Sequence, residues 1–197
     1  MRVEKKKKKQ LQLVFFPKKG PLTLPEGYTV TNYTGEADIM PWIEICKNGL
    51  APEDAGRAFF DACITNFPCI DPYRDIFFLE TGGEKVATIT AINDWNGMGR
   101  IHMVSVAASQ RGKGLSHILS RIAENKLADA GVKIGALTTD DWRKPACKCY
   151  LRNGCFPVNH DTDMPERWRA LITEFGIDSI QMYTENGEKD IVIYANE

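Results

Sequence analysis

The chain has 197 residues, 43% of them hydrophobic and 26% charged, with a net charge of only −1. That length supports a substantial core, and the composition is that of a globular protein, not a disordered or fibrous one. No run approaches the roughly 20 apolar residues that a membrane-spanning helix requires, so no membrane partner is expected.

The charge is unevenly placed. Residues 1–20 hold eight Lys or Arg against one Glu, and the rest of the chain holds 17 against 25. The basic run at residues 5–9 reads as part of a solvated, disordered tail of residues 1–10. A nucleic-acid contact is disfavoured because the body behind the tail is acidic. Residues 11–16 are apolar but too few for a secretory core, and no small-residue cleavage site follows. They read as an added N-terminal strand, and residues 11–197 as one domain.

Tyr28 to Tyr33 alternates like a strand. Ile39, Trp42, Ile43 and Cys46 recur at helical spacing, and the helix is expected to close at Asn48-Gly49. Pro52-Glu53-Asp54 is expected to open a second helix with Ala55, Phe59, Ala62 and Cys63 inward. Pro68 and Pro72 bound a loop. Residues 76–80 and 85–92 read as a hairpin joined through Gly82-Gly83. Residues 94–99 read as a loop into the next strand, Ile101-His102-Met103-Val104-Ser105-Val106.

That strand leads into Gln110-Arg111-Gly112-Lys113-Gly114-Leu115-Ser116. Beyond it Leu115, Ile118, Leu119, Ile122, Leu127 and Ala130 keep a helical period up to Gly131, where a cap belongs. The pattern is strand, glycine-rich turn, helix. Glycines let backbone approach a ligand, and the first N–H groups of a helix have no partner within it. With the helix dipole and the charges of Arg111 and Lys113, this makes a phosphate site. A triphosphate loop needs G-x-x-x-x-G-K-[ST], which the glycine spacing here does not supply. A dinucleotide loop needs a third glycine where His117 stands.

What the segment resembles is motif A of the GNAT N-acetyltransferase superfamily, R/Q-x-x-G-x-G/A, which binds the pyrophosphate of acetyl-CoA. Ser109 stands where Arg or Gln is usual. A second segment, residues 136–156, resembles motif B of the same superfamily: a strand ending in Thr139, a short helix with Ala146 and Tyr150, then Gly154. Arg143 replaces the common Asn, and Cys155 the common Phe. The two motifs occur in the family's order and separation across residues 85–158. The resemblance implies an α/β (α+β) fold with a mixed, largely antiparallel central sheet flanked by helices. Pro165 to Phe175 reads as a further helix, and residues 179–183 and 191–194 as a last hairpin.

The resemblance also implies the site. Backbone groups of Val104, Ser105 and Val106 are expected to meet the pantetheine arm. The amides of Arg111, Gly112, Lys113, Gly114, Leu115 and Ser116 are expected to hold the pyrophosphate. Tyr150, at the family's position, is the expected acid for the departing thiolate. His102 is the expected base, since an unperturbed histidine pKa near 6.5 suits proton removal at neutral pH. Arylalkylamine N-acetyltransferases, a branch of the superfamily, similarly carry histidine on this strand. Asp94 and Glu80 stay open as alternative bases.

Six cysteines are present, but Cys147 and Cys149 fall on different faces of one expected helix, and no C-x-x-C pair exists. No metal is expected, and the thiols read as free and reduced in a cytoplasmic protein. The expected function is acetyl (acyl) transfer from acetyl-CoA to a primary amine of a small molecule or peptide, by direct attack in a ternary complex. A non-catalytic acyl-CoA-binding or interaction domain on the same fold is the alternative. Homodimerisation stays open. Loops at residues 48–52, 68–73 and 94–99 carry Asp71, Tyr73, Asp94 and Trp95, a weak pointer to a cationic acceptor.

Overall fold

The computed structural model describes residues 9–196. In chain order the elements are β1 (Leu11–Phe15), β2 (Tyr28–Asn32), α1 (Ile39–Cys46), α2 (Arg57–Phe60), α3 (Pro72–Asp75), β3 (Ile76–Thr81), β4 (Glu84–Trp95) and β5 (Met98–Val106). There follow α4 (Leu115–Asp129), β6 (Gly135–Thr139), α5 (Lys144–Arg152), β7 (Phe156–Pro157), α6 (Met164–Phe175), β8 (Ser179–Tyr183) and β9 (Lys189–Tyr194). The sheet is mixed and largely antiparallel, with helices flanking it, which is the expected fold class. The chain divides into two compact units: one runs from Phe16 to Ala136, and the other joins the segment ending at Phe15 to the segment from Leu137 onward.

In the first unit, β2, β3, β4 and β5 form an antiparallel ladder. Gly135 and Ala136, which open β6, pair in parallel with Gly99 and Arg100. Helix α1 buries Ile39, Trp42, Ile43 and Cys46, the face its periodicity predicts, and Ile45 joins them. These pack with Phe60, Ile64, Ile76, Phe78 and Ile92 in one core. Each large side chain enclosed in this way contributes about 1.5–3 kcal/mol.

Two local expectations are corrected. The helix expected from Pro52 begins only at Arg57, because Gly56 is extended (φ −131°, ψ −160°) and interrupts any earlier turn. It then widens into a π-helical turn, Asp61–Thr65, where the Asn66 N–H donates to the Asp61 carbonyl at 2.8 Å. The loop expected over residues 94–99 is a tight hairpin turn instead. Asn96 and Gly97 both have positive φ, the geometry Asn-Gly favours between strands, and Asp94 accepts the Gly97 N–H at 2.7 Å.

Helix α4 closes with two bonds, Gly131 N–H to Ala128 and Val132 N–H to Leu127, both 3.0 Å. Gly99 sits beneath this cap. A Cβ there would lie 2.8 Å from Val132 Cγ1, so only glycine lets β5 approach α4 so closely.

In the second unit, β1 pairs antiparallel with β7 through Leu13–Pro157 and Val14–Phe156, which places the expected added strand. Helix α6 buries Met164, Trp168, Leu171 and Ile172, and Arg167 on it holds Asp141 through Nε at 3.1 Å and Nη2 at 2.8 Å. β8 and β9 form the last hairpin. Residues 5–8 of the basic run lie outside the described residues, while Lys9 pairs with Asp161 at 3.0 Å. Among the described residues no helix is long and apolar enough to cross a membrane, and no three His, Cys, Asp or Glu gather as a metal site.

Candidate active site

The glycine-rich turn precedes α4 as its spacing predicts. Gly112 and Gly114 are both left-handed, φ +79° and +75°, and a Cβ built on either meets nothing within 4 Å. The turn therefore presents bare backbone to open space. Among the described residues, the N–H groups of Gly112, Lys113, Gly114, Leu115 and Ser116 meet no backbone acceptor, whereas the Arg111 N–H already bonds Ala108 at 3.3 Å. Five consecutive donors at the positive end of a 15-residue helix fit a pyrophosphate.

The turn is braced from outside. Gln110 Oε1 accepts from Tyr28 on β2 and from Lys113, both at 2.6 Å. Asn48, just past α1, accepts the Ala108 N–H on its side chain at 2.9 Å and the Arg111 guanidinium on its carbonyl. The Asn48 amide in turn donates to the Glu44 and Ile45 carbonyls at 3.1 and 3.3 Å, and Ser105 donates to Ile45 at 2.7 Å. The end of α1, the C-terminal end of β5 and the turn are thus one hydrogen-bonded assembly.

Strand β5 carries a bulge that the sequence does not announce. Thr88 faces Ser105 and Thr90 faces His102, so Met103 and Val104 together oppose the single residue Ile89. Met103 takes φ +50°, a sparsely populated conformation for a side-chain-bearing residue. The extra residue re-aims the backbone at Met103 and Val104. The parallel ladder to β6 runs only through Gly99–Gly135 and Arg100–Ala136. Val104, Ser105 and Val106 thus follow the last of these pairs, where a pantetheine arm could add its own hydrogen bonds.

His102 is the residue before the bulge. Its Nε2 lies 3.0 Å from the Cys63 carbonyl, in the π-helical turn. A carbonyl only accepts, so in the neutral ring Nε2 carries the proton and Nδ1 the lone pair. Burial holds the His102 pKa down at about 4; the Arg100 charge acts in the same direction, and the Cys63 bond opposes both. Three rings stand together here: Phe67 and Trp95 at 5.0 Å, Phe67 and His102 at 6.2 Å, and Trp95 and His102 at 6.3 Å. The Arg100 guanidinium lies over Trp95, 4.8 Å from its centre. Of the other carboxylates considered, Asp94 and Asp71 cap turns, and Glu80 lies 3.4 Å from the Thr31 hydroxyl.

Tyr150 lies in the other unit, on α5, half-buried. Burial of its hydroxyl raises its pKa, and the neighbouring Cys155, Cys149 and Cys147 thiols push the same way. The phenol therefore stays protonated, as a proton donor must. Burial likewise pushes the Cys147 thiol up to about 11, which makes it a poor nucleophile. Arg100, Asn48, the Met103 bulge and the Cys63 carbonyl were not singled out from sequence. Only Arg100 carried a signal, standing two residues before His102 and so on the same face of the strand.

The acetyltransferase (GNAT) family model matches residues 37–155. Among solved structures, a GCN5-related N-acetyltransferase from Sphaerobacter thermophilus is 21% identical with a TM-score of 0.63, over 75% of this chain and 48% of that one. A GCN5-related N-acetyltransferase from Kribbella flavida is 21% identical with a TM-score of 0.52, over 75% and 54%. An acetyltransferase of the GNAT family from Staphylococcus aureus Mu50 is 16% identical with a TM-score of 0.52, over 64% and 82%. The chain spans about half the length of the first two, and the likeness to all three is one of fold. No curated protein matches. With the motif-A turn, the bulged strand and the motif-B helix all inside or beside the matched stretch, the chain belongs to the acetyltransferase (GNAT) family.

Proposed function

We propose that the protein transfers an acetyl group from acetyl-CoA to the primary amine of a small molecule or peptide, by direct attack in a ternary complex. The observation that carries this reading is the open turn at Gly112 and Gly114, with five backbone donors at the head of α4 that meet no backbone acceptor among the described residues. Acetyl-CoA supplies a thioester, whose carbonyl carbon the amine attacks. The amides of Gly112 to Ser116 bind the pyrophosphate, with Arg111 and Lys113 adding charge. Backbone of Val104 to Val106 orients the arm, and an N–H at the bulge stabilises the oxyanion that develops on the carbonyl.

His102 takes the proton of the attacking amine at Nδ1. Its depressed pKa decides when. Moving a proton from an alkylammonium near pKa 10.4 to a base at about 4 is uphill by roughly six units, or about 9 kcal/mol. His102 therefore does not strip the resting ammonium. It receives the proton as the carbon–nitrogen bond forms and the nitrogen becomes acidic. Tyr150 donates its phenolic proton to the leaving sulfur. Thiol release from acetyl-CoA across a panel of amines tests the reading. It predicts release that depends on an acceptor, and release independent of every amine would refute it.

A further inference from the structure

His102 is held by a carbonyl that the helix beside it leaves over. In a regular α-helix the Cys63 carbonyl would accept the Phe67 N–H, four residues on. Here the Phe67 N–H turns to Ile64 at 3.1 Å, and the Asn66 N–H reaches back to Asp61 at 2.8 Å. Five residues beyond Cys63, where a π-helical donor would stand, is Pro68, which has no N–H. Cys63 is half-buried, and a carbonyl there without a donor costs free energy. The His102 Nε2–H meets that need at 3.0 Å, so each group satisfies the other. Asp61 pins the turn that makes this possible. Its carboxylate accepts from Arg57 Nε at 3.0 and 3.2 Å and from the Thr65 hydroxyl at 2.9 Å. The first residue of the π-helical turn is thereby tied to its last. Arg57 is held in turn by Glu36, ahead of α1. The Arg57 and Thr65 bonds keep the Asp61 carboxyl below its ordinary pKa.

From this arrangement we propose that Asp61 is a positioning residue for the transfer step, holding the π-helical turn so that the Cys63 carbonyl keeps the His102 lone pair at Nδ1. The inference rests on the acetyl-transfer reading, in which Nδ1 receives the proton of the amine. Without the pin, the turn relaxes toward the α register, in which the Phe67 N–H takes the Cys63 carbonyl. His102 then loses its partner, and its two neutral tautomers mix. Only the tautomer protonated at Nε2 can accept a proton at Nδ1.

The test follows the full chain, carrying isotopically labelled histidine, by nitrogen NMR, with the His102 signals assigned by their absence in His102→Gln. At neutral pH the wild type is expected to show a protonated Nε2 and a lone-pair nitrogen at Nδ1. Asp61→Ala is expected to draw the two signals together, as mixed tautomers do. It is also expected to lower kcat on the order of 10-fold, part of the ~10²–10⁴-fold that a positioned base supplies, with little change in the amine KM. Rates come from thiol release with butylamine, phenethylamine and putrescine. Asp61→Asn keeps an oxygen that accepts from Thr65 and is expected to restore part of both effects. CoA affinity, measured on each variant, reports that the fold and the cofactor turn are intact. Thr65→Val removes the hydroxyl bond alone; it is expected to shift the same signals less far, and it decides the matter if Asp61→Ala does not fold. A wild-type ring protonated at Nδ1, wild-type signals in the folded variants, or a lowered kcat with unaltered signals would each overturn the proposal. Failure of the wild type to bind CoA, or to release thiol with any of the amines, would instead strike the acetyl-transfer reading itself, and the His102 signals would still decide the positioning.

Discussion

Replacing Gly114 by valine separates the two roles of the turn. At φ +75°, ψ 8°, any L-residue pays for the left-handed conformation, about 1–2 kcal/mol, and a β-branched one lies at the upper end. Beyond its chain neighbours, no atom of the described residues lies within 4 Å of the new Cβ, so the stability loss stops near that figure. The ligand loses more. The added methyls fill the space where the pyrophosphate meets the amides of Gly114, Leu115 and Ser116, and each hydrogen bond to a charged group is worth about 1.5–3 kcal/mol. Loss of one such bond weakens CoA binding roughly 10- to 150-fold. Gly114→Ala is expected to fall between. Urea unfolding gives the first quantity and isothermal titration with CoA the second. A folded Gly114→Val protein that binds CoA with wild-type affinity would refute the assignment of the turn.

Three more outcomes are expected. Tyr150→Phe removes one hydroxyl, so CoA affinity persists while kcat falls about 10²- to 10⁴-fold, the usual scale of general-acid help; steady-state rates beside titration check both. His102→Gln lowers kcat/KM without changing the shape of its pH profile between roughly pH 6 and 9 (a range bracketing an ordinary histidine), because His102 titrates at about 4. An acidic limb near pH 6–7 that disappears in the variant would refute that environment. Asp75 is fully buried; burial works to raise its pKa, but Arg74, Lys126 and the Asp71 N–H more than offset this and lower it. A carboxyl depressed in the folded state adds stability above its unfolded pKa near 4 and loses it as pH falls through the folded value. Asp75→Asn is therefore expected to reduce stability at neutral pH and to flatten its decline below about pH 4, as read from urea midpoints against pH.

Much of this was legible in the sequence, for identifiable reasons. The turn at Gly112 and Gly114 and the helix behind it follow from glycine spacing and a 3.6-residue period, both local properties. The buried face of α1 follows from Ile39, Trp42, Ile43 and Cys46 in the same way. The bulge at Met103 left no trace, because a run of apolar and β-branched residues reads identically with or without one extra residue. The π-helical turn was hidden by an acidic, proline-led start at Pro52 that looks like a helix, while Gly56 downstream takes an extended conformation. The environment of His102 was illegible because it depends on Cys63, Phe67 and Trp95, distant in sequence and brought together by the fold. An ordinary histidine pKa was the natural expectation, and burial moved it.

The central claim is transfer of the acetyl group itself. Isotopically labelled acetyl-CoA, incubated with the protein and a panel of primary amines, allows sulfur-to-nitrogen transfer to be followed by NMR together with thiol release. The account predicts labelled amide on at least one amine, with one CoA thiol freed for each amide formed. Labelled acetate as the sole product would contradict it by showing hydrolysis in place of transfer, and tight CoA binding with no product from any amine would contradict it and identify the chain as an acyl-CoA-binding module on this fold.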